Sequence, residues 1–346
     1  MSAAGYQQVI AAKESDRRDL FLTTASRLGT PVGNVEKDFW VCWTLDQLYH
    51  TRTADQPRLL FKGGTSLSKA YGLIRRFSED IDVTVYRDDL GEAASVEELD
   101  QLSNKKRQAR LDAIRDACSS YITGPLKDEL SARLADASGG TGRIEIDPED
   151  RDRQTLLVWY PSVEHAPDGY IKPAVRIESG AKSALDPNAP ATIVPYVAED
   201  VADLDLAVAG VTTIIAERTF WDKVVIAHGL RRWFERRSQL RNEGQRISRH
   251  YYDLHCLAAS APGAAAMADA ALGADCVRHA RMFFNRPDFD LASASQGSFA
   301  LVPVDGMREA LRRDYDATQA MIFGAAPRFD DIIASVEGIE KTVNGK

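Results

Sequence analysis

No stretch of the 346-residue chain approaches the ~20 consecutive apolar residues that a membrane-crossing helix requires. The longest apolar run of note, Val-Ala-Gly-Val-Thr-Thr-Ile-Ile-Ala at 208–216, is less than half that length, so no membrane partner is expected. Cysteine is scarce: Cys42, Cys118, Cys256 and Cys276 stand apart without a Cys-x-x-Cys pair, which argues for reduced thiols and against a disulfide framework or a cysteine zinc site. His50, His165, His228, His250, His255 and His279 lack His-x-x-x-His spacing, and a zinc hydrolase is not expected. Gly-x-Ser-x-Gly and Gly-x-x-x-x-Gly-Lys-Ser/Thr strings are missing too, which speaks against serine-hydrolase and P-loop chemistry. Basic residues are outnumbered, 43 against 51 acidic, and the net charge of −8 argues against coating nucleic acid through bulk charge. The first residues, Met-Ser-Ala-Ala-Gly-Tyr-Gln-Gln, carry no basic stretch leading into an apolar one; no secretory signal is expected, and the cytoplasm is the expected compartment.

What the chain does hold is ordinary globular material: 44% hydrophobic and 27% charged residues, in a length sufficient for two domains. The patterning predicts an α+β protein, a small mixed β-sheet core with N-terminal helices and a C-terminal helical domain. Its expected parts are an N-terminal helical segment over 1–56, a sheet domain over 57–205 with a helical insertion at about 92–140, and a helical domain over 206–346. Leu20, Phe21, Ala25 and Leu28, then Phe39, Trp40, Trp43 and Leu48, recur at helical spacing. Arg58–Lys62 reads as a buried strand, Gly63-Gly64 as a turn, and Thr65 to Ile74 as a helix. Asp80–Tyr86 alternates, so Ile81, Val83 and Val85 face one side of a strand while Asp80 and Asp82 share the other. Further strands are predicted at Arg143–Ile146, Thr155–Tyr160 and Ala174–Glu178, with an extended piece near Ile193–Val197. Beyond residue 210 the chain reads as almost wholly helical, with an Ala-rich stretch at 264–273.

Gly63 and Gly64 let a backbone approach a ligand closely, and Thr65 and Ser66 open a helix whose N-terminal amides favour phosphate. The same string reads equally as a capped strand-to-helix turn. Asp80 and Asp82, projecting together from the next strand, have the oxygen chemistry of a Mg²⁺ (or Mn²⁺) site that also draws on phosphate. A third carboxylate, Glu178, falls by strand pattern on the face opposite Val175 and Ile177. Three acids on adjacent strands suit two ions and an in-line phosphoryl or nucleotidyl displacement. Lys223 interrupts a small and apolar helical stripe, so either its stem snorkels to solvent or its ammonium points into an anion-binding cleft. Asp253 follows Arg249 by one helical turn, an ordinary ion-pair spacing.

Phe61–Gly72 followed by Arg76–Val83 resembles the first motif of the AbiEii/AbiGii toxin family, MenT-like members of the DNA polymerase β-like nucleotidyltransferase superfamily. Glu217–Lys223 is similar to the family's lysine motif, Arg249–Leu254 to its final Asp-Leu motif, and the tail from Asp314 to Asn344 to longer members, so the resemblance spans residues 35–345. It implies that Asp80 and Asp82 coordinate the catalytic metal, that Lys223 contacts the phosphates of a nucleoside triphosphate, and that Asp253 is essential. Arg76 and Ser78 are candidate nucleotide contacts. The implied reaction is attack of an acceptor hydroxyl on the α-phosphate with release of pyrophosphate, in a cleft between sheet and helices. The implied setting is a type IV toxin–antitoxin or phage-defence system, with a cognate antitoxin as partner and RNA, particularly the end of tRNA, as acceptor.

Residues 231–250 carry seven Arg and two Glu, a basic excess inside an acidic chain. They read either as a solvated interhelical loop or as an RNA-binding border in which Arg231, Arg232, Arg236 and Arg237 meet phosphates and Trp233 or Phe234 stacks on bases. Two other functions stay open at this point: a protein-nucleotidylating enzyme and a non-catalytic nucleotide-binding module.

Overall fold

The computed structural model describes residues 2–164, 172–242 and 244–345; His165 lies outside them. The chain forms two compact units. The first comprises Met1–Ala70, Phe77–Ala94 and Asn104–Thr213, the second Tyr71–Arg76, Ser95–Ser103 and Ile214–Lys346. The division therefore falls at Thr213/Ile214, whereas the sequence pattern puts a boundary at 205/206, and the N-terminal helices cluster with the sheet.

The first unit carries the expected mixed sheet flanked by helices. Helices α1 (Ser2–Ala11), α2 (Glu14–Leu28) and α3 (Val32–His50) come first. Seven strands then build one sheet: β1 (Leu59–Lys62), β2 (Asp80–Val85), β3 (Arg143–Ile146), β4 (Thr155–Trp159), β5 (Ala174–Gly180), β6 (Asn188–Ile193) and β7 (Val208–Ile214), in the spatial order β3-β4-β5-β2-β1-β7-β6. β1 runs antiparallel to β2 and parallel to β7, while β2 runs parallel to β5. Phe61, Ile81, Val83, Val175 and Ile177 are fully buried. A short helix, α4 (Gly63–Lys69), follows β1 directly. It stops well before the predicted Ile74, because Gly72 adopts a left-handed φ of 62° that no helix continues through.

Strand β7 is the main surprise. The chain beyond residue 210 reads as almost wholly helical, but Val208, Val211, Thr212, Thr213 and Ile214 are β-branched and lose side-chain freedom in a helix. The helix begins only at Ala216, after the extended residue Ile215.

The second unit is helical: α5 (Val96–Asp100) from the insertion and, after α6 (Asn104–Tyr121) and α7 (Lys127–Ser138) of the first unit, α8 (Ala216–Arg237), α9 (Ser248–Ala258), α10 (Ala261–Ala268), α11 (Ala270–Phe283), α12 (Asp305–Asp316) and α13 (Phe329–Val343). The Ala-rich stretch is two helices because Asp269 breaks it and caps α11, accepting from the Leu272 N–H at 2.9 Å. Tail residues similar to longer family members act as staples. Asp314 accepts from the backbone N–H and hydroxyl of Ser248 at 2.7 and 2.6 Å, capping α9, and Glu340 accepts from the N–H groups of Leu301 and Val302. Among the described residues, no helix is long and apolar enough to cross a membrane.

Candidate active site

Strand β2 sets its two aspartates by simple alternation. Ile81, Val83 and Val85 are fully buried and Asp80 and Asp82 stay half-buried on the other face. Pairing fixes their neighbours: Asp82 stands opposite Lys62 of β1 on one side and opposite Glu178 of β5 on the other, and Asp80 stands opposite Arg176. Side chains paired across strands share a face. Lys62 Nζ lies 4.0 Å from Asp82 Oδ1, and Arg176 binds both Glu178 (2.9 Å) and Asp147 (3.0 Å).

The glycine turn serves the aspartates directly. Gly63 has φ +80°, and a Cβ there would fall 2.0 Å from Asp82 Oδ2, so only glycine lets that carboxylate lie against the backbone. Thr65 and Ser66 are fully buried. The Thr65 hydroxyl meets Ser78 Oγ at 2.8 Å and donates to the Asp80 carbonyl, and Ser66 Oγ donates to the Gly63 carbonyl at 2.9 Å. The phosphate expectation at Thr65 and Ser66 concerns their backbone amides; their hydroxyls tie the start of α4 to Ser78, to the Asp80 carbonyl and to the Gly63 carbonyl.

Among the described residues, no group of three or more His, Cys, Asp or Glu side chains is arranged to hold a metal ion. Asp80, Asp82 and Glu178 do not form such a group here, and Glu178 pairs with Arg176 at 2.9 Å. The donor chemistry of Asp80 and Asp82 still fits Mg²⁺ or Mn²⁺, since Mg²⁺ commonly takes one or two carboxylates and completes its shell with water and substrate phosphate.

The second unit holds a separate cluster. Arg76 Nε and Nη2 reach the two oxygens of Asp253 at 2.8 and 3.0 Å, and Lys223 Nζ reaches Asp253 Oδ2 at 2.7 Å. Asp253 is wholly buried, and Arg76 and Lys223 nearly so. The ion-pair spacing with Arg249 is thus not what holds Asp253; Arg76, a candidate nucleotide contact, is its bidentate partner. Burial by itself raises the Asp253 pKa, but Arg76 and Lys223 outweigh it and hold the carboxyl below the usual carboxylate range. Burial pushes the Lys223 ammonium down from the ordinary lysine range; Asp253 pulls it back and Arg76 adds to the fall. His250, one turn before Asp253, has a buried Nδ1 with no partner among the described residues. Burial, reinforced by Lys223 and Arg249, keeps its imidazole neutral by holding its pKa well below the usual value.

The arginines expected to meet RNA do not form a loop. Arg231, Arg232, Arg236 and Arg237 occupy the last two turns of α8, and each has acceptors within its own unit. Arg231 donates to the Val302 carbonyl at 2.7 Å and pairs with Glu235; Arg232 meets Glu235 at 3.1 Å; Arg236 donates to the Pro287 carbonyl at 2.5 Å; Arg237 meets Asp288 at 2.7 Å. Sequence reasoning missed three features beside the expected ones: Lys62 next to Asp82, His250 next to Asp253, and the ion pair between Lys37 of α3 and Glu79 at 2.6 Å, one residue before Asp80. Only Lys62 had a signal, its place at the strand end immediately before Gly63.

The family model for the AbiEii nucleotidyl transferase toxin of type IV toxin–antitoxin systems matches residues 46–335. The chain belongs to that family. It is a nucleotidyltransferase toxin by family, as the motif resemblance implied. The fold is similar to that of MenT4, a nucleotidyltransferase toxin from Mycobacterium tuberculosis H37Rv, with a TM-score of 0.50 at 15% identity over 93% of this chain and 89% of that one. No curated protein matches the sequence significantly.

Proposed function

We propose that this AbiEii-family chain is a metal-dependent enzyme that moves a nucleotide from a nucleoside triphosphate to a hydroxyl of RNA, with the end of tRNA as the acceptor, and that a cognate antitoxin restrains it in a cytoplasmic toxin–antitoxin or phage-defence system. The observation that carries the reading is the Asp80-x-Asp82 pair, held on one face of β2 and seated against Gly63.

Asp80 and Asp82 would hold the divalent cation, which when bound supplies Lewis-acid stabilisation of charge on the phosphate oxygens. In the transfer, the acceptor oxygen forms a bond to the α-phosphorus, the bond from that phosphorus to the bridging oxygen breaks, the hydroxyl proton is lost and pyrophosphate leaves. Lys62 moderates the charge at Asp82. Lys223, whose ammonium is paired with the Asp253 carboxylate in a nearly dry setting, would contact phosphate oxygens. Arg76 takes the other edge of Asp253 and fixes its orientation. Gly63, Gly64 and Ser78 belong to the nucleotide-binding turn through backbone and position.

The reading is tested by incubating the purified protein with total RNA, Mg²⁺ and each α-labelled triphosphate in turn. Label in RNA supports it. Label in protein selects a protein-nucleotidylating enzyme instead, and triphosphate binding without pyrophosphate release selects a non-catalytic module.

A further inference from the structure

Close to the C-terminal end of α8, six arginines (Arg231, Arg232, Arg236, Arg237, Arg241 and Arg286) face three carboxylates, Glu235, Asp288 and Asp290. The pairing is uneven. Arg231, Arg232, Arg236 and Arg237 take those carboxylates and nearby carbonyls, whereas Arg241 and Arg286 have no carboxylate within ion-pair distance among the described residues. Arg241 lies against aromatic faces, its guanidinium 4.8 Å from the Phe289 ring centre and 6.0 Å from that of Trp233. The Trp233 indole N–H beside it is buried without a partner among the described residues. Arg286 is exposed, and two residues before it Phe284 is 46% exposed, one of only four large hydrophobic side chains that are exposed among the described residues. Burial and the like charge of Arg286 both push the Arg241 pKa down, so the two guanidinium groups repel in the free protein. Such a placement is costly until an anion arrives.

We propose that Arg241, Arg286 and the aromatic faces of Trp233, Phe284 and Phe289 form the surface that docks single-stranded acceptor RNA. The proposal rests on the reading above that the acceptor is RNA. Single-stranded RNA supplies both things this surface lacks: phosphates for two arginines without counter-ions, and flat bases for aromatic and guanidinium planes. An acidic protein segment would supply carboxylates but no stacking. Trp233 is ten residues beyond Lys223 on α8, about 15 Å at the helical rise, so a strand on this surface contacts the protein over several nucleotides of its length. The arginines expected from sequence, Arg231, Arg232, Arg236 and Arg237, are then staples that hold the surface, not its main phosphate ligands.

The test compares the full-length wild type with Arg241→Ala/Arg286→Ala and with Arg241→Lys/Arg286→Lys, using fluorescein-labelled tRNA for binding and α-labelled triphosphate for transfer. The alanine pair should raise the Kd and KM for tRNA at least about tenfold, leave the KM for triphosphate unchanged, and flatten the slope of log K against log salt by about 1.4, two single-strand phosphate contacts. The lysine pair should keep the salt slope and lose affinity, because ammonium keeps the charge but not the planar stacking. An Arg236→Ala control should change tRNA affinity less than about threefold. If the wild type neither binds nor labels tRNA, the RNA reading itself fails and this surface with it. If the wild type does both and the alanine pair matches it in Kd and salt slope, the docking surface alone is wrong, as it also is if the pair loses only the antitoxin.

Discussion

Asp253 is the residue whose removal should be felt most. With its carboxylate replaced in Asp253→Asn, Arg76 and Lys223 lose the buried carboxylate they share, and the expected loss is about 3–5 kcal/mol in a denaturant titration. Lys223→Met removes one cation and leaves the bidentate Arg76–Asp253 pair intact. Its stability should stay within about 1 kcal/mol of wild type while pyrophosphate release collapses, since the Asp253 carboxylate keeps its bidentate Arg76 partner and is not left as an unpaired buried charge. A variant pair that loses stability equally would show that Lys223 is there for structure and not for phosphate. Gly63→Ala should cost about 1–3 kcal/mol and displace Asp82, because the new Cβ meets Asp82 Oδ2 as well as a left-handed backbone. Gly29→Ala, at a similar φ in open space, isolates the backbone part of that cost. Asp80 and Asp82 were legible in the sequence because period-2 alternation alone separates them from Ile81 and Val83. The Arg76–Asp253 pair was not, since 177 positions separate its members and the local spacing points to Arg249 instead.

At the scale of elements, α3 carries charge where its buried surroundings call for apolar residues: Glu36, Lys37 and Asp38 are all buried. Each is matched. Glu36 accepts from the Val163 N–H and the Ser162 hydroxyl, Lys37 pairs with Glu79, and Asp38 pairs with Lys69 of α4 at 2.7 Å while accepting from the Tyr196 N–H. Lys69 also sits 3.8 Å from the Tyr196 ring centre. These pairs tie α3 to the short helix and to the residue before β2. Lys69→Met leaves Asp38 buried without its cation and should destabilise by about 3–5 kcal/mol, whereas an exposed pair such as Arg18–Glu14 should cost less than about 1 kcal/mol on loss; equal effects in urea titrations would contradict this account. The strands β2, β3, β4 and β5 were legible from alternation and β-branched runs. β7 was not, because a short apolar run supports either a strand or a buried helix until its neighbours are known. The alternation that set Glu178 and Arg176 together opposite the core was right about their face and silent about the ion pair between them.

For the whole molecule, buried neutral histidines set the acid side of stability. His228 is fully buried; its Nδ1 accepts from the Ala300 N–H at 3.1 Å, and burial holds its pKa below the usual histidine value, as it does for His250. The unfolded chain takes up protons at these sites below about pH 6.5 and the folded chain does not, so the histidine contribution to stability falls as pH drops from about 7 to 5, by up to about 1.4 kcal/mol per pH unit for each, while Glu36 and Asp38, whose pKa burial raises, act in the opposite sense. Asp253 works in a separate window. Its folded pKa lies below the unfolded one, so its contribution is complete above about pH 4 and fades only as pH falls further. Urea titrations at pH 5, 6 and 7 should show the fall, and His228→Gln should flatten it; a stability that is level across that range would refute the assignment of neutral buried imidazoles. Asp80→Asn and Asp82→Asn, substitutions at half-buried positions, should keep the fold and lower nucleotide transfer by about 10³-fold, equivalent to several kcal/mol of transition-state stabilisation. The direct measurement is transfer of α-labelled nucleotide to RNA with Mg²⁺ by wild type, by both variants and by wild type with EDTA. Label only in the untreated wild type is the predicted result, and label that persists in Asp80→Asn and Asp82→Asn would contradict the account.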